Sequence, residues 1–219
     1  MKIITFPPYG PFGEICCLLE NNGSAALIDA PGNTDEIMAA LSANGLKLDK
    51  ILLTHGHVDH ILGLSDIAEK TGAAVYIHPA DKPKLSDSVT NLSEYFGLPP
   101  VKKFGGETVD VREGDIIDLN GLSIRVMETP GHTSGSVMYI VGDVIFSGDT
   151  LFKGSIGRTD MPDGNNAVMM KTLDRIASAE WEPRDYTVYS GHTAPTKLSV
   201  EINRTIPYMK GLYSHDDLL

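Results

Sequence analysis

The densest set of candidate metal ligands lies in residues 54–60, which read THGHVDH. Three histidines and one aspartate fall within six residues of this stretch, directly after the apolar residues 51–53. Imidazole and carboxylate groups crowded together need partners if they are buried, and a multivalent cation can satisfy all of them. The mixture suits zinc, and also iron or manganese. The alternative is an exposed polar turn that happens to hold three histidines.

The spacing within this stretch predicts two metal positions. We predict that His55 and His57 lie on the tail of a strand, where residues two apart point to the same side. Asp59 and His60 follow as the chain turns into a helix, predicted over residues 61–70, and face a neighbouring point. One pair of ligands on each side of a turn favours two ions over one.

Three further candidate ligands come just after predicted strands: His132, Asp149 and His192. Each follows or adjoins a glycine, which lets the backbone approach a crowded centre closely. Each is weak evidence alone, because Gly-His is common in turns and Ser-Gly-Asp is common where strands end. Together with residues 54–60 they complete a set of seven ligands. His78, which also follows a predicted strand, is expected to be structural or to support a ligand.

Composition predicts one ordinary globular domain, with 219 residues, 42% hydrophobic and 21% charged. The formal charge of -11 argues against non-specific nucleic-acid binding, which needs surplus cations near phosphates. No apolar run approaches the roughly 18 residues of a membrane span, and the first residues lack the pattern of an export leader. We therefore expect a cytoplasmic monomer or homodimer that acts on a small molecule, not on a nucleic acid or a membrane.

The two cysteines, Cys16 and Cys17, are adjacent within the apolar residues 15–19. Neighbours on a strand face opposite ways, so an ordinary disulfide between them is not expected. Reduced, packed thiols agree with a cytosolic location.

The order of predicted elements repeats along the chain although the sequence does not. Strands and then a helix occupy the first half, about residues 1–105, and the same order returns in residues 106–219. This favours a single α+β domain over residues 1–219, with two sheets packed face to face and helices outside them. Residues 80–105 combine short helices and loop, and we expect them to border the site and act as a lid.

The ligand pattern resembles that of the metallo-β-lactamase fold superfamily. The shared features are HxHxDH at residues 55–60, Gly131-His132, Asp149 and Gly191-His192. The resemblance implies a four-layer αββα sandwich with a metal pair at one edge. It also implies how the ligands are divided: the first ion is held by His55, His57 and His132, the second by Asp59, His60 and His192, and Asp149 bridges the two.

Two segments, residues 146–152 and 154–160, are similar to the hydroxyacylglutathione hydrolase (glyoxalase II) branch and its small bacterial members. This similarity places Arg158 where larger members have a lysine that holds a glutathione carboxylate, with Lys153 as a second candidate nearby. Larger members also carry a helical C-terminal domain that binds the rest of glutathione. Only 27 residues follow His192 here, so the use of glutathione itself stays open.

The resemblance implies metal-dependent hydrolysis of S-lactoylglutathione or a related small acyl thioester. Two divalent ions can share a water and lower its pKa toward neutrality, with Asp59 and Asp149 as the catalytic candidates. A thiolate leaves near its free pKa of about 8.5, which suits a site without an obvious proton donor. Hydrolysis of another ester, a lactone or a phosphodiester, and a mononuclear-iron persulfide dioxygenase, are the alternatives. A binding module that has lost catalysis is the non-enzymatic one.

Overall fold

The computed structural model describes residues 1–179, 181 and 185–216, and two six-stranded sheets form its centre. The first sheet is built, in spatial as in chain order, from β1 (Lys2–Thr5), β2 (Cys17–Asn21), β3 (Ser24–Ile28), β4 (Lys47–Leu52), β5 (Ala74–Ile77) and β6 (Thr108–Asp110). Its first three strands are antiparallel, and β3 to β6 are parallel. The carboxyl ends of β3, β4 and β5 therefore meet at one edge.

The second sheet has the spatial order β14-β13-β10-β9-β8-β7. Its strands are β7 (Ile116–Leu119), β8 (Leu122–Glu128), β9 (Val137–Val141), β10 (Val144–Gly148), β13 (Thr187–Ser190) and β14 (Thr196–Lys197). A separate two-stranded ribbon consists of β11 (Leu151–Phe152) and β12 (Ser155–Ile156). Strands β10 and β13 are parallel neighbours, so the residues that follow them leave the sheet side by side.

Helices cover the outer face of each sheet. They are α1 (Thr34–Ala43), α2 (Val58–Ile61), α3 (Leu64–Thr71), a 3-10 helix (Pro79–Leu85), α4 (Asn166–Ser178), α5 (Leu198–Val200), a π-helical turn (Glu201–Thr205) and α6 (Ile206–Asp216). Asn165 caps α4, since its side-chain oxygen accepts a hydrogen bond from the Val168 N–H at 3.0 Å. Within the described part of the chain, no helix is both long and apolar enough to cross a membrane.

Three apolar clusters hold the layers together. Leu18 and Leu19 are neighbours on β2, yet they belong to different clusters because successive side chains on a strand point to opposite faces. Leu19 packs between the two sheets with Phe146, whereas Leu18 packs under the first-half helices with Ile37. The third cluster joins the second sheet to α4 through Leu173. The layers are therefore helix, sheet, sheet and helix, which confirms the predicted αββα sandwich.

Cys16 and Cys17 are free thiols, and both are buried. Burial raises the pKa of each thiol above its ordinary value, so both stay protonated at pH 8, and the protonated form is the unreactive one. In urea-unfolded protein both thiols should react with a disulfide reagent. Over the same time, we expect neither thiol of the native protein to react. Absorbance measures the labelling, and rapid labelling of the native protein would contradict this prediction.

Candidate metal centre

His55 and His57 lie in the loop that follows β4. The prediction that they occupy the tail of a strand is wrong, because β4 ends at Leu52. The physical reason is that the backbone N–H of Thr54 donates to the side chain of Asp29 at 2.8 Å, which takes it out of the sheet. Both histidines are nonetheless buried and face the same centre.

Asp59 and His60 are helical residues. The predicted helix over residues 61–70 is two helices in the structure, and the first, α2, already begins at Val58. The break comes at Gly63, whose N–H donates to the carbonyl of Ala30 at 2.8 Å and not to the preceding helical turn. This contact pulls the start of α3 against the end of β3.

The other three candidate ligands arrive from the second sheet. His132 lies in the loop after β8, Asp149 directly follows β10, and His192 follows β13 by two residues. Asp149 lies between the others: its Oδ2 is 3.5 Å from Nε2 of His132 and 3.3 Å from Nε2 of His192. Its Oδ1 is 3.4 Å from Nε2 of His60. The sandwich thus brings residues from both sheets to one point.

The donor atoms form two groups on either side of Asp149. The first is His55, His57 and His132, and the second is Asp59, His60, His192 and Glu14. In each group all donor atoms lie within 4.8 Å of one another. A third group, His55, His60 and Asp149, joins the first two. The structure therefore brings all seven predicted ligands together and adds an eighth residue, and the division between two ions that the resemblance implied stays a prediction.

Glu14 is the residue that sequence reasoning missed. Its side chain is 1% exposed, and its Oε2 lies 3.2 Å from Nε2 of His60 and 3.4 Å from Nε2 of His192. The one available signal was an acidic residue immediately before the apolar residues 15–19. Such a residue is usually a solvated strand end, so the signal was weak.

Asp29 fixes the orientation of two histidine rings. Its Oδ2 accepts hydrogen bonds from Nδ1 of His60 at 3.0 Å and from the Thr54 hydroxyl at 2.8 Å. Because the Thr54 hydroxyl gives its proton to Asp29, its oxygen accepts from Nδ1 of His55 at 3.2 Å. Both rings therefore turn Nε2 toward the centre, as outer partners of metal-ligating histidines generally arrange.

Backbone carbonyls orient two more rings. Nδ1 of His132 donates to the carbonyl of Arg158 at 2.8 Å, and Nδ1 of His192 donates to the carbonyl of Phe12 at 3.1 Å. Each ring again presents Nε2 to the centre. Nε2 of His132 lies 2.9 Å from Nδ1 of His57, so these two nitrogens face a common point.

Asp81, on the 3-10 helix, joins the two loops that carry the ligands. Its Oδ2 accepts from the Gly56 N–H at 2.8 Å and from the Thr133 hydroxyl at 2.9 Å. Its Oδ1 accepts from the Gly135 N–H at 3.1 Å and pairs with Lys84 at 2.8 Å. Asp81 is fully buried. Its hydrogen bonds therefore fix the distance between the loop after β4, from the first sheet, and the loop after β8, from the second.

His78 has a structural role, as the sequence suggested. Its Nδ1 accepts from the Ala80 N–H at 3.2 Å at the start of the 3-10 helix, and its Nε2 pairs with Glu128 at 3.0 Å. It therefore supports the helix that carries Asp81.

The two groups differ in charge. In the first, burial lowers the pKa of His55 well below its usual value, and burial together with nearby His132 lowers the pKa of His57 to about 3. In the second, burial alone would lower the pKa of His192, but the hydrogen bonds to Asp149 and Asp59 together with the charge of Asp149 outweigh it and raise the pKa to about 11. The carboxylates near the second group thus favour positive charge there.

The unsatisfied atoms of the site test whether divalent cations fit it. Of the seven buried atoms without a hydrogen-bond partner among the described residues, six belong to the site: Oε1 and Oε2 of Glu14, Nε2 of His55, His57 and His60, and Oδ1 of Asp149. Each such atom costs about 1–3 kcal/mol when left unpaired. All are imidazole nitrogens or carboxylate oxygens, the donors that zinc, iron and manganese take. The residues therefore fit bound divalent metal.

A cavity of about 290 Å3 opens onto these donors. Its floor includes His57, Asp59, His132, Asp149 and His192, and its walls are apolar, from Phe12, Leu92, Phe96, Phe152, Ile156 and Met161. Leu92 and Phe96 come from residues 80–105, which confirms that this stretch borders the site. The rings of Phe12 and Phe96, both part of this wall, are in contact, with centroids 4.7 Å apart.

Arg158 lines the cavity, and Lys153 does not. The guanidinium of Arg158 makes two hydrogen bonds to Asp160, at 2.9 and 2.8 Å, and both side chains are largely exposed. Lys153 lies on the exposed turn between β11 and β12. We therefore keep Arg158 as a candidate for binding substrate and assign no such role to Lys153.

The four-layer αββα sandwich places histidine and aspartate donors at the floor of a cavity, an arrangement suited to a metal-dependent hydrolase. Residues 9–192 match the family model described as the metallo-beta-lactamase superfamily. The chain belongs to that superfamily, and it is a metallohydrolase of it.

Individual relatives and structures agree with this assignment. The chain is 29% identical to hydroxyacylglutathione hydrolase GloC of Haemophilus influenzae over 205 residues, covering 92% of this chain and 96% of that protein. The crystal structure of the BLEG-1 B3 metallo-beta-lactamase superposes with a TM-score of 0.85 at 28% identity, covering 95% and 99% of the two chains. A di-iron-bound form of TTHA1623 gives a TM-score of 0.80 at 32% identity, covering 93% and 99%.

Proposed function

We propose that this protein hydrolyses small acyl thioesters with two divalent ions held by the two donor groups and Asp149. The observation that carries the proposal is the cavity itself, which has donor atoms at its floor and apolar walls around them. When bound, the ions would supply a water of lowered pKa and a Lewis acid for the substrate carbonyl. Three imidazoles suit zinc in the first group, and a di-iron form of a related structure supports iron as an alternative.

The groups that line the cavity favour a substrate with a good leaving group. Among the described residues there, the ionisable groups are the donor set and Arg158. Burial would raise the pKa of Asp59, but His60 and His192 together outweigh it and lower the pKa, so this carboxyl has no proton to give. Arg158 does not release its proton either. A thiolate, with a free pKa of about 8.5, leaves without such help.

The walls support a substrate whose non-reacting part is apolar. Phe152 stands edge-on to the ring of His192, with centroids 5.9 Å apart, and therefore lies beside the proposed reacting atoms. Phe12 and Phe96, in contact with each other, add further apolar wall. The relative GloC, named for hydrolysing hydroxyacylglutathione, supports a thioester within this class.

Metal-loaded protein assayed against matched substrates tests the proposal. We expect an acyl thioester to give a kcat/KM at least about tenfold above that of the oxygen ester with the same acyl group, since only the thiolate leaves without a proton. The panel includes S-lactoylglutathione, a lactone and a phosphodiester. Faster turnover of the oxygen ester or the phosphodiester would overturn the thioester assignment.

Hydrolysis of a β-lactam is the second candidate, because BLEG-1 is described as a metallo-beta-lactamase and matches nearly the whole chain. A penicillin and a cephalosporin in the same panel decide between the two. A β-lactam turned over faster than every thioester would favour this second candidate.

Arg158 is proposed to bind a carboxylate on the substrate. We expect Arg158→Ala to raise KM for an anionic thioester about tenfold and to leave a neutral thioester within about twofold. Asp160→Asn releases the guanidinium from its present partner, so KM for the anionic substrate should fall. Steady-state kinetics with both substrates measures this, and equal effects on the two substrates would remove the role.

We also infer a cytoplasmic setting, because the free thiols Cys16 and Cys17 are those of a protein kept in a reducing compartment. A small molecule is the proposed partner, in keeping with the size of the cavity.

A further inference from the structure

Glu14 is buried without the contacts that a buried carboxylate needs. It lies between β1 and β2, is 1% exposed, and neither of its carboxylate oxygens has a hydrogen-bond donor among the described residues. A buried carboxylate is tolerated when it is paired or binds a metal. The nearest polar atoms are Nε2 of His60 and Nε2 of His192, at 3.2 and 3.4 Å.

These distances are those between ligands of one ion. Adjacent donor atoms at about 2.0–2.2 Å from one metal are roughly 2.8–3.6 Å apart, whether the ion has four, five or six ligands. Around the second group, Oε2 of Glu14 meets that spacing to His60 and His192, and Oδ2 of Asp59 lies 3.3 Å from Nε2 of His192 and 3.9 Å from Nε2 of His60. We propose that Glu14 is a direct ligand of the second ion, alongside Asp59, His60 and His192. The inference rests on the two-ion site of the proposed function.

The backbone around Glu14 is built to hold its carboxylate at this point. Glu14 and Tyr9 exchange two backbone hydrogen bonds of 2.9 Å, and the next N–H, of Ile15, donates to the carbonyl of Gly191 at 2.6 Å. A Cβ on Gly191 would come within 2.7 Å of Oε2 of Glu14 and 2.5 Å of Oδ1 of Asp149. The glycine before His192 therefore leaves the space that the carboxylate occupies.

A ligating Glu14 makes the two metal positions chemically different. The second position has the carboxylates of Glu14 and Asp59 besides the shared Asp149, whereas the first has three imidazoles and Asp149 alone. Carboxylate oxygens suit manganese, whereas imidazoles suit zinc and iron. Loss of Glu14 should therefore lower the affinity of the second position for Mn2+ more than for Zn2+.

Glu14 has one other possible role, as a counter-ion for His60 or His192. The isosteric Glu14→Gln variant distinguishes this role from that of a metal ligand. The experiment titrates metal-free protein with Co2+ and follows stoichiometry, affinity and visible absorption, whose intensity rises as the coordination number falls. We expect wild-type protein to bind two ions. In Glu14→Gln the first ion should bind as before, and the second should bind at least about 100-fold more weakly. Losing a residue that only hydrogen-bonds to a metal ligand costs about 10–100-fold in affinity, so a larger loss indicates a direct ligand.

The exposed Glu107 provides the matched control, because Glu107→Gln removes the same charge away from the site. Circular dichroism checks that Glu14→Gln is folded, and Glu14→Asp, which keeps the charge on a shorter arm, gives a second readout with intermediate affinity expected. Two ions bound by Glu14→Gln with unchanged affinity and spectrum would overturn this inference alone. A wild-type protein that binds only one ion would overturn the two-ion site as well.

Discussion

Replacing Asp149 with alanine is expected to weaken binding of both ions together and to reduce kcat/KM at least about 10³-fold. Asp149 is the one described carboxylate whose oxygens lie within 3.5 Å of Nε2 atoms from both donor groups, His132 on one side and His60 and His192 on the other. Asp59 and Glu14, the other two carboxylates, lie only in the second group. In the proposed two-ion site, the loss of Asp149 removes a ligand from each position and the charge between them.

Asp143→Ala is the matched control, since Asp143 lies in the exposed turn at the other end of the same strand, β10. Metal content by mass spectrometry after dialysis, and kcat/KM with the best thioester of the panel, are measured for both variants. An Asp149→Ala protein that keeps two ions, or that works within about threefold of wild type, would show that the two positions do not share this residue.

The seven candidate ligands could be identified before the structure because their signal is local. HxHxDH places four polar donors in six positions after an apolar strand, which few other arrangements explain. The remaining three were found by their shared position, a glycine beside a donor just after a strand. The αββα sandwich was predictable for a related reason: two halves with the same order of elements must each cover one face of a sheet.

The supporting carboxylates could not be identified from sequence. Asp29 reads as a turn residue and Asp81 as an exposed acid on a short helix, yet both are buried. Asp29 contacts Thr54 from 25 positions away, and Asp81 contacts Thr133 from 52 positions away. Their roles arise only from tertiary packing, and no periodic pattern marks a single acidic residue as an outer partner.

The wrong secondary structure around the ligands has the same origin. The strand propensity of the sequence alone would extend β4 through Thr54 to the following histidines. The Asp29 carboxylate takes the Thr54 N–H instead, so the strand ends and the chain is free to turn. A side chain outside the segment, Asp29, therefore determines where β4 ends and how the following loop runs. This is why the identities of the ligands could be predicted from the sequence and their local geometry could not.

Asp29→Asn is expected to have the second large effect, with metal affinity falling about 10–100-fold and the free energy of unfolding falling by about 2–4 kcal/mol. Asp29 accepts three hydrogen bonds, two from Thr54 and one from His60. An amide has a single acceptor oxygen and points its NH2 group at donors, so at least one of these bonds must be lost. Asparagine is the right replacement because Asp29 has φ +59°, a conformation that asparagine tolerates and alanine does not.

Two substitutions of Thr54, to serine and to valine, show how much of the loss of metal affinity in Asp29→Asn comes from the hydrogen bond between Thr54 and His55. Thr54→Ser keeps the hydroxyl that joins Asp29 to His55 and should bind metal as wild type does, whereas Thr54→Val keeps the shape and removes the link. Thr54→Val should therefore weaken the first ion while leaving His60 in place, and Asp29→Asn should weaken both. Urea denaturation of metal-free protein and competition with a chelator measure the two effects. If Asp29→Asn lost stability but kept its metal affinity, the role of Asp29 would be to close the loop after β4, and orientation of the ligands would have to come from elsewhere.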